Sequence, residues 1–344
     1  MSLGYLSGGG CRSGDRCVQT SIRPAMNNIA YALVYVFSYL LSLLPYRILY
    51  VISDVIIYPL IYHVAHYRRH VVRRNLRNSF PDKSEKELRK IEVKFYHYLC
   101  DYFLETIKLL SVSKSELMRR MTMEGFEELE RSAEKTGFAF ILLGHYCNWE
   151  YITSLQLWVS PDVKCAQIYA PLRSKVYDRL FLKIRSRFGN ANIKKNESIR
   201  EIIHLRHDNQ KTIVGFISDQ GPRWVNIHLF VPFLHQDTPV FTGTERIAKK
   251  LGASIFIAHH TRPKRGYYHC TYTKLTDTPA DFAPNEITRI YMHDLEKQIQ
   301  AEPYLWLWTH DRWKRQRTSP RAPEQWKATI VDGHPISDTP IETR

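Results

Sequence analysis

The chain has 344 residues, 44% of them apolar, which is enough to bury a substantial core and excludes wholesale disorder. Its formal net charge of +15 asks for an anionic partner: nucleic acid, an anionic lipid surface or an acidic protein. The six cysteines stand apart, with no CxxC pair and no His/Cys cluster at zinc-finger spacing, and read as free thiols in a reducing compartment.

Residues 1–25 are rich in Gly and Ser and lack an apolar period. They read as a flexible leader, not necessarily native, with Met26 a candidate start. From Ile29 to Leu44 there is no charge. As a helix this run reaches about 24 Å against a bilayer core of about 30 Å, and Asn27–Tyr46 fills the gap. A second greasy stretch, Ile48–Tyr62, is interrupted by Asp54 and Pro59. Residues 26–62 are therefore expected to be a membrane-anchoring helical segment, with two buried core helices as the alternative. Arg68, Arg69, Arg73, Arg74 and Arg77 follow at once. Positive charge stays in the cytoplasm, which puts the body of the protein on that side, and these arginines can hold anionic headgroups.

Beyond the break at Ser79-Phe80-Pro81-Asp82, Ser84 with Glu87 three residues on is a capping-box pattern. The helix it opens runs to about Leu110. The period then changes. Phe138–Leu143, Thr212–Ile217 and Ala253–Ala258 read as buried strands, and Tyr268–Lys274 as a more exposed one. Helical segments alternate with them over Trp149–Trp158, Lys175–Phe188, Glu201–Asp208, Thr242–Leu251 and Asn285–Ile299. That alternation defines an α/β layered domain over residues 63–317, followed by a polar tail, 318–344.

The chemistry concentrates in Gly144-His145-Tyr146-Cys147-Asn148-Trp149-Glu150, where a buried strand ends and a helix begins with Asn148 as N-cap. Of the 15 histidines, only His145 has an acid five positions on. A carboxylate on Nδ1 fixes the tautomer and raises the basicity of Nε2, so Glu150 is expected to fold back onto His145. A base without a nucleophilic Ser or Cys implies that the substrate brings the nucleophile, such as an alcohol. Cys147 as a covalent nucleophile is disfavoured by its place in a tight turn between the two. Arg185 and Arg187 precede Gly189, expected to cap a helix C-terminus, and suit phosphate. Asp219 and Gln220 follow the second buried strand, placed to bind substrate or an active-site Arg. The segment Trp306–Lys314 brings three Trp with mixed charge, suited to a core edge or a membrane interface.

In order along residues 26–317, these segments resemble the lipid A late acyltransferases (lauroyl or myristoyl acyltransferases) of the lysophospholipid acyltransferase superfamily. The resemblance rests on the apolar anchor; Arg73-Arg74-Asn75-Leu76 with Ser79-Phe80-Pro81; the GHYCNWE string; Arg187-Phe188-Gly189; Asp219-Gln220; Val231-Pro232-Phe233 with Thr238-Pro239; and Trp306-Leu307-Trp308 with Arg312-Trp313-Lys314. It implies a central mixed sheet flanked by helices, at the bacterial inner membrane with the catalytic domain facing the cytoplasm. The reaction it implies moves a fatty acyl chain from acyl carrier protein to a hydroxyl of a lipid A precursor, an anionic glycolipid, with no metal or dissociable cofactor. His145 is then the base and Glu150 its partner, while Arg185, Arg187, Asp219, Gln220 and Asn148 build the site or hold phosphates. Tyr146-Cys147 stands where Phe-Gly is common, and Trp224–His228, Thr309 and Asp311 depart from the pattern. These departures bear on the acceptor, which leaves a lysophospholipid or amino-acid lipid as alternatives. A nucleic-acid binder would explain the charge but not the anchor, and no zinc finger or other nucleic-acid-binding signature is present. A scaffold with a dead site is disfavoured by the presence of both His145 and Glu150, while a hydrolase would use water in place of the alcohol.

Overall fold

The computed structural model describes residues 14–327 together with residues 330–331 and 334–335; the first half of the expected leader, 1–13, lies outside them. Helix α1 spans Gly14–Leu43, so the helix starts within the stretch read as leader. After Pro45, α2 covers Tyr46–Val64, loosening into π-helical turns from Ser53 onward. Among the described residues α2 is the one helix long and apolar enough to cross a membrane.

α2 is two-faced. Its inner side carries polar groups tied to the domain. Tyr50 donates to Glu105 at 2.8 Å, Ser53 to Asp101 at 2.8 Å and Tyr62 to Glu92 at 3.1 Å, while Asp54 accepts from Arg265 at 2.7 Å. Its outer side exposes Ile48, Val51, Val55, Ile56, Leu60 and Val64, continuing the exposed Ile29, Leu33, Val36, Phe37 and Leu40 of α1.

Helix α3 (Arg69–Ser79) and α4 (Glu85–Lys108) follow. The capping box forms as expected: Glu87 N–H donates to Ser84 Oγ and Ser84 N–H to Glu87 Oε2, a device that stabilises a helix start by about 1 kcal/mol. α5 (Lys114–Arg120) leads into strand β1 (Met121–Glu124), α6 (Phe126–Thr136) and β2 (Phe138–Leu143). The chain continues through β3 (Lys164–Tyr169), α7 (Lys175–Arg185), β4 (Ala191–Lys194), α8 (Ser198–His207) and β5 (Thr212–Ile217). Then come the hairpin β6 (Leu229–Phe233) and β7 (Gln236–Val240), α9 (Gly243–Leu251), β8 (Ser254–Lys264), β9 (Tyr267–Thr276) and α10 (Glu286–Ala301).

The seven-stranded sheet is mixed, with order β1-β9-β8-β2-β5-β3-β4. β2 lies in the middle, parallel to β8 and β5. All six of its residues are buried, which is why it reads as an unbroken apolar run: parallel strands covered on both faces need apolar side chains on both. The chain beyond β2 and the chain beyond β5 leave the sheet at the same edge, side by side, and this adjacency positions the site.

Candidate active site

Gly144 follows β2 in a tight spot: a Cβ there would come within 2.8 Å of Leu295 Cδ1 and 3.5 Å of Asp219 Oδ2. The next residues are fastened to the closing segment. Leu307 N–H donates to His145 O at 3.1 Å and Cys147 N–H to Leu305 O at 3.0 Å, bracketing a bridge between Tyr146 and Trp306. The imidazole of His145 is thus held on a backbone clamped on both sides.

The partner of that imidazole is Asp219. His145 Nδ1 lies 2.6 Å from Asp219 Oδ1, and His145 N–H donates to Oδ2 at 2.9 Å. Trp306 Nε1 also donates to Oδ2, at 2.8 Å. Burial by itself would raise the Asp219 carboxyl, but the facing imidazole and these donors outweigh it and hold it down at about 2. A carboxylate on Nδ1 makes that nitrogen the donor and leaves the lone pair on Nε2. Nε2 meets the Gln220 side-chain amide at 3.2 Å, and the edge of Trp149 packs against the ring at 5.1 Å between centroids.

Glu150 does not fold back onto His145. Its carboxylate is buried and paired with Arg185, Nε to Oε2 at 2.9 Å and Nη2 to Oε1 at 2.5 Å, with Tyr102 OH on Oε1 at 3.4 Å. The physical reason is competition. Asp219 already occupies Nδ1, and a bidentate guanidinium is the stronger partner for a buried carboxylate. Arg185 is therefore an ion-pair partner of Glu150 rather than a free phosphate ligand, and burial of its guanidinium is outweighed by that carboxylate, which raises it further.

Two other expected substrate contacts are structural. Arg187 leaves the helix, which ends at Arg185 instead of Phe188, and its Nη1 donates to Leu109 O at 2.7 Å and Val112 O at 2.6 Å. It fastens the turn that follows α4. Asn148 is fully buried; Nδ2 donates to Glu105 Oε2 at 2.7 Å, and Oδ1 accepts from Tyr151 N–H at 3.3 Å. It is not the N-cap that was expected: the helix that forms is a short 3₁₀ helix, Tyr151–Leu157, with Glu150 at its N-cap, and Asn148 holds the turn before it. Cys147 is buried at positive φ (53°), and burial holds its thiol well above the usual range, where it is no nucleophile.

The five arginines after the anchor each have a partner within the chain, Arg74 and Arg77 at the surface. Arg69 and Arg73 pair with Glu92, Arg74 with Asp311 and Arg77 with Glu85, and Arg68 donates to Thr309 O at 2.9 Å. Asn75 Nδ2 donates to Trp308 O at 3.1 Å and His310 O at 3.0 Å. So the Arg-Arg-Asn segment docks on the closing Trp segment, at the same Thr309 and Asp311 that depart from the expected pattern.

The closing segment also holds the β6–β7 hairpin, with Trp313 Nε1 on Thr238 Oγ1 at 2.7 Å and Arg312 Nη2 on Pro239 O at 2.6 Å. Arg312 is fully buried, and burial pulls it down to about 10 even beside Asp219. In the sequence Trp306 and Arg312 stand out only as parts of an aromatic, charged stretch; nothing in their spacing ties them to Asp219. Among the described residues no three His, Cys, Asp or Glu side chains gather as a metal site.

A histidine with a buried carboxylate behind it, at the carboxyl edge of a mixed sheet and without an activated Ser or Cys beside it, can serve as a base toward a nucleophile that an acceptor brings. The sequence matches the bacterial lipid A biosynthesis acyltransferase family over residues 19–315, and the chain belongs to that family. It is an acyltransferase. Among curated proteins it is similar to the lipid A biosynthesis lauroyltransferase of Escherichia coli (strain K12), 25% identical over 248 residues, which is 71% of this chain and 78% of that protein.

Proposed function

We propose that this acyltransferase moves a fatty acyl chain from the thioester of acyl carrier protein to a hydroxyl of a lipid A precursor, with His145 as general base oriented by Asp219. The observation that carries the mechanism is the Asp219–His145 bond, which turns the lone pair of Nε2 toward Gln220. The acceptor hydroxyl takes the place of the Gln220 amide at Nε2. It gives its proton to His145 as its oxygen attacks the thioester carbonyl. Asp219 stabilises the imidazolium so formed. The tetrahedral intermediate collapses, the C–S bond breaks, and the imidazolium returns the proton to the departing thiolate. The Glu150–Arg185 ion pair ties the chain five residues beyond His145 to α7. The lauroyltransferase relative supports the acceptor class, and the charge of +15 suits an acidic carrier and an anionic lipid.

Attachment follows from α1 and α2. Both helices expose apolar residues, while the inner face of α2 is tied to the domain through Asp101, Glu105 and Arg265. A helix fixed in this way lies in the membrane surface with its outer face in lipid. This face supports attachment to the bacterial inner membrane, and a carrier-protein donor calls for the site to face the cytoplasm.

Lipid A mass spectrometry on cells deleted for this gene, then restored with wild type or His145→Ala, tests the reading. Loss of one acyl chain, restored by wild type alone, is expected. Unchanged lipid A refutes the acceptor and directs the search to lysophospholipids and aminolipids.

A further inference from the structure

The turn that carries His145 is held by α4 as well as by the closing segment. Cys147 has a φ of 53°, a left-handed conformation that a residue with a Cβ keeps only where its surroundings fix it. Its N–H is bonded to Leu305 O, while the Tyr98 hydroxyl donates to its carbonyl. The next side chain, Asn148, donates from Nδ2 to Glu105 Oε2 at 2.7 Å. Tyr98 and Glu105 both belong to α4 and lie two helical turns apart, on one face of it. Glu105 is fully buried, and its carboxylate accepts from three elements at once. Besides Asn148, the Tyr50 hydroxyl of α2 donates to Oε1 at 2.8 Å and the Tyr268 hydroxyl of β9 to Oε2 at 2.7 Å. Burying a carboxylate costs free energy that apolar packing does not, so stability alone does not account for it. A second bond runs the same way: the Tyr46 hydroxyl of α2 lies 3.0 Å from that of Tyr151, just past Glu150. The inner face of α2 therefore reaches the His145 turn by two routes.

We propose that Glu105 is a positioning residue for acyl transfer: through Asn148 it fixes the left-handed turn that carries His145, and through Tyr50 it makes the seating of α2 part of that hold. The inference rests on the reading of His145 as base. Glu105 moves no proton in it. It acts through the backbone between Asn148 and His145, and a base displaced by about 1 Å can lose on the order of 100-fold in rate.

The full-length protein in detergent is assayed with a carrier-bound acyl thioester and a lipid A precursor. Asn148→Asp sets a second carboxylate against Glu105, and kcat is expected to fall about 100-fold with acceptor KM within about threefold of wild type. The swap Glu105→Gln/Asn148→Asp restores one donor and one acceptor across the contact and should recover most of that loss. Asn148→Ala should lose about tenfold in kcat, and adding Cys147→Gly should return part of it, because glycine takes a positive φ without strain. Tyr50→Phe, which releases α2 from the carboxylate, should lower kcat severalfold. A swap no faster than Asn148→Asp overturns the proposal, as does a loss carried by KM alone or an Asn148→Ala enzyme with wild-type kcat. Should Asn148→Asp not fold, Asn148→Ala with and without Cys147→Gly decides: no recovery by glycine sinks the positioning role. His145→Ala is run alongside. If it keeps its turnover, the base reading itself falls; if it is inactive while the Asn148 variants work normally, only the role of Glu105 does.

Discussion

His145 Nδ1 and Asp219 Oδ1 stand 2.6 Å apart although 74 residues separate them in the chain. Two parallel neighbours, β2 and β5, end at the same edge and deliver one residue each. If this pair is the working base, its members act as a unit. Asp219→Ala should lower kcat by about 10²–10⁴-fold with the protein still folded, and the double variant His145→Ala/Asp219→Ala should be no slower than His145→Ala alone. Steady-state turnover of the four proteins decides it; a double variant much slower than either single would mean that the two work separately.

Cys147 lies beside His145 in sequence but is sealed by Tyr98, whose hydroxyl donates to its carbonyl, and by the bond to Leu305 O. A covalent thioester route would need its thiolate. Cys147→Ala should therefore retain turnover within about tenfold, and iodoacetamide should leave the native wild-type enzyme active, because a buried high-pKa thiol is inert. Trapping of an acyl group on Cys147, seen by intact-protein mass spectrometry, would reverse this assignment.

The parts of this molecule that could be read from sequence are those where one local rule dominates. Phe138–Leu143 and Thr212–Ile217 match β2 and β5 because strands covered on both faces carry unbroken apolar runs. The Ser84–Glu87 box matches the start of α4 because capping is a contact between near neighbours. β3 and β4 escaped because Lys164–Tyr169 and Ala191–Lys194 are short and mix polar with apolar residues. The site failed in the same sense. His145 was legible, and Asp219 was singled out, but which carboxylate reaches Nδ1 depends on strand order, and proximity along the chain favoured Glu150.

Glu150 and Arg185 form a nearly dry ion pair, 2% and 20% exposed. Removing one partner of such a pair strands the other charge and costs about 3–5 kcal/mol. Glu150→Gln and Arg185→Ala should each lower Tm by several degrees and reduce activity. The double variant should be less destabilised than the sum, since neither charge is left alone. Additive losses of Tm in calorimetry would show that the two side chains are energetically independent.

The outer face of α2 predicts where lipid is met. Val55, Ile56 and Leu60 are 67%, 58% and 54% exposed and make little of the core. Their replacement by Asp should leave the circular dichroism spectrum intact yet move the enzyme from the membrane pellet to the soluble fraction, because each lost apolar contact with lipid is worth about 1.5–3 kcal/mol. Retention in the pellet after a high-salt wash would place the attachment elsewhere.

His260 on β8 gives the protein an acid-sensitive core. It is buried, its Nε2 has no hydrogen-bond partner among the described residues, and burial pulls it down to about 3. In the unfolded chain the same imidazole titrates near 6.5. Below that value the unfolded state binds a proton that the folded state refuses until about pH 3, so stability present above pH 6.5 is lost on acidification, at about 1.4 kcal/mol per pH unit. Asp219 adds to the loss only lower down, between its ordinary value of 3.8 and about 2, where protonation ends its stabilising contact with His145. Between pH 6 and 4, His310, also pulled down by burial, to about 4, adds a loss of its own, so the His260 share is read as the difference between wild type and a His260 variant. His260→Leu should flatten the fall of Tm across that interval by one proton's worth, about 3 kcal/mol in total. Thermal melts of both proteins at half-unit pH steps measure it, and two parallel curves would mean that His260 is already charged, or reached by water, in the folded enzyme.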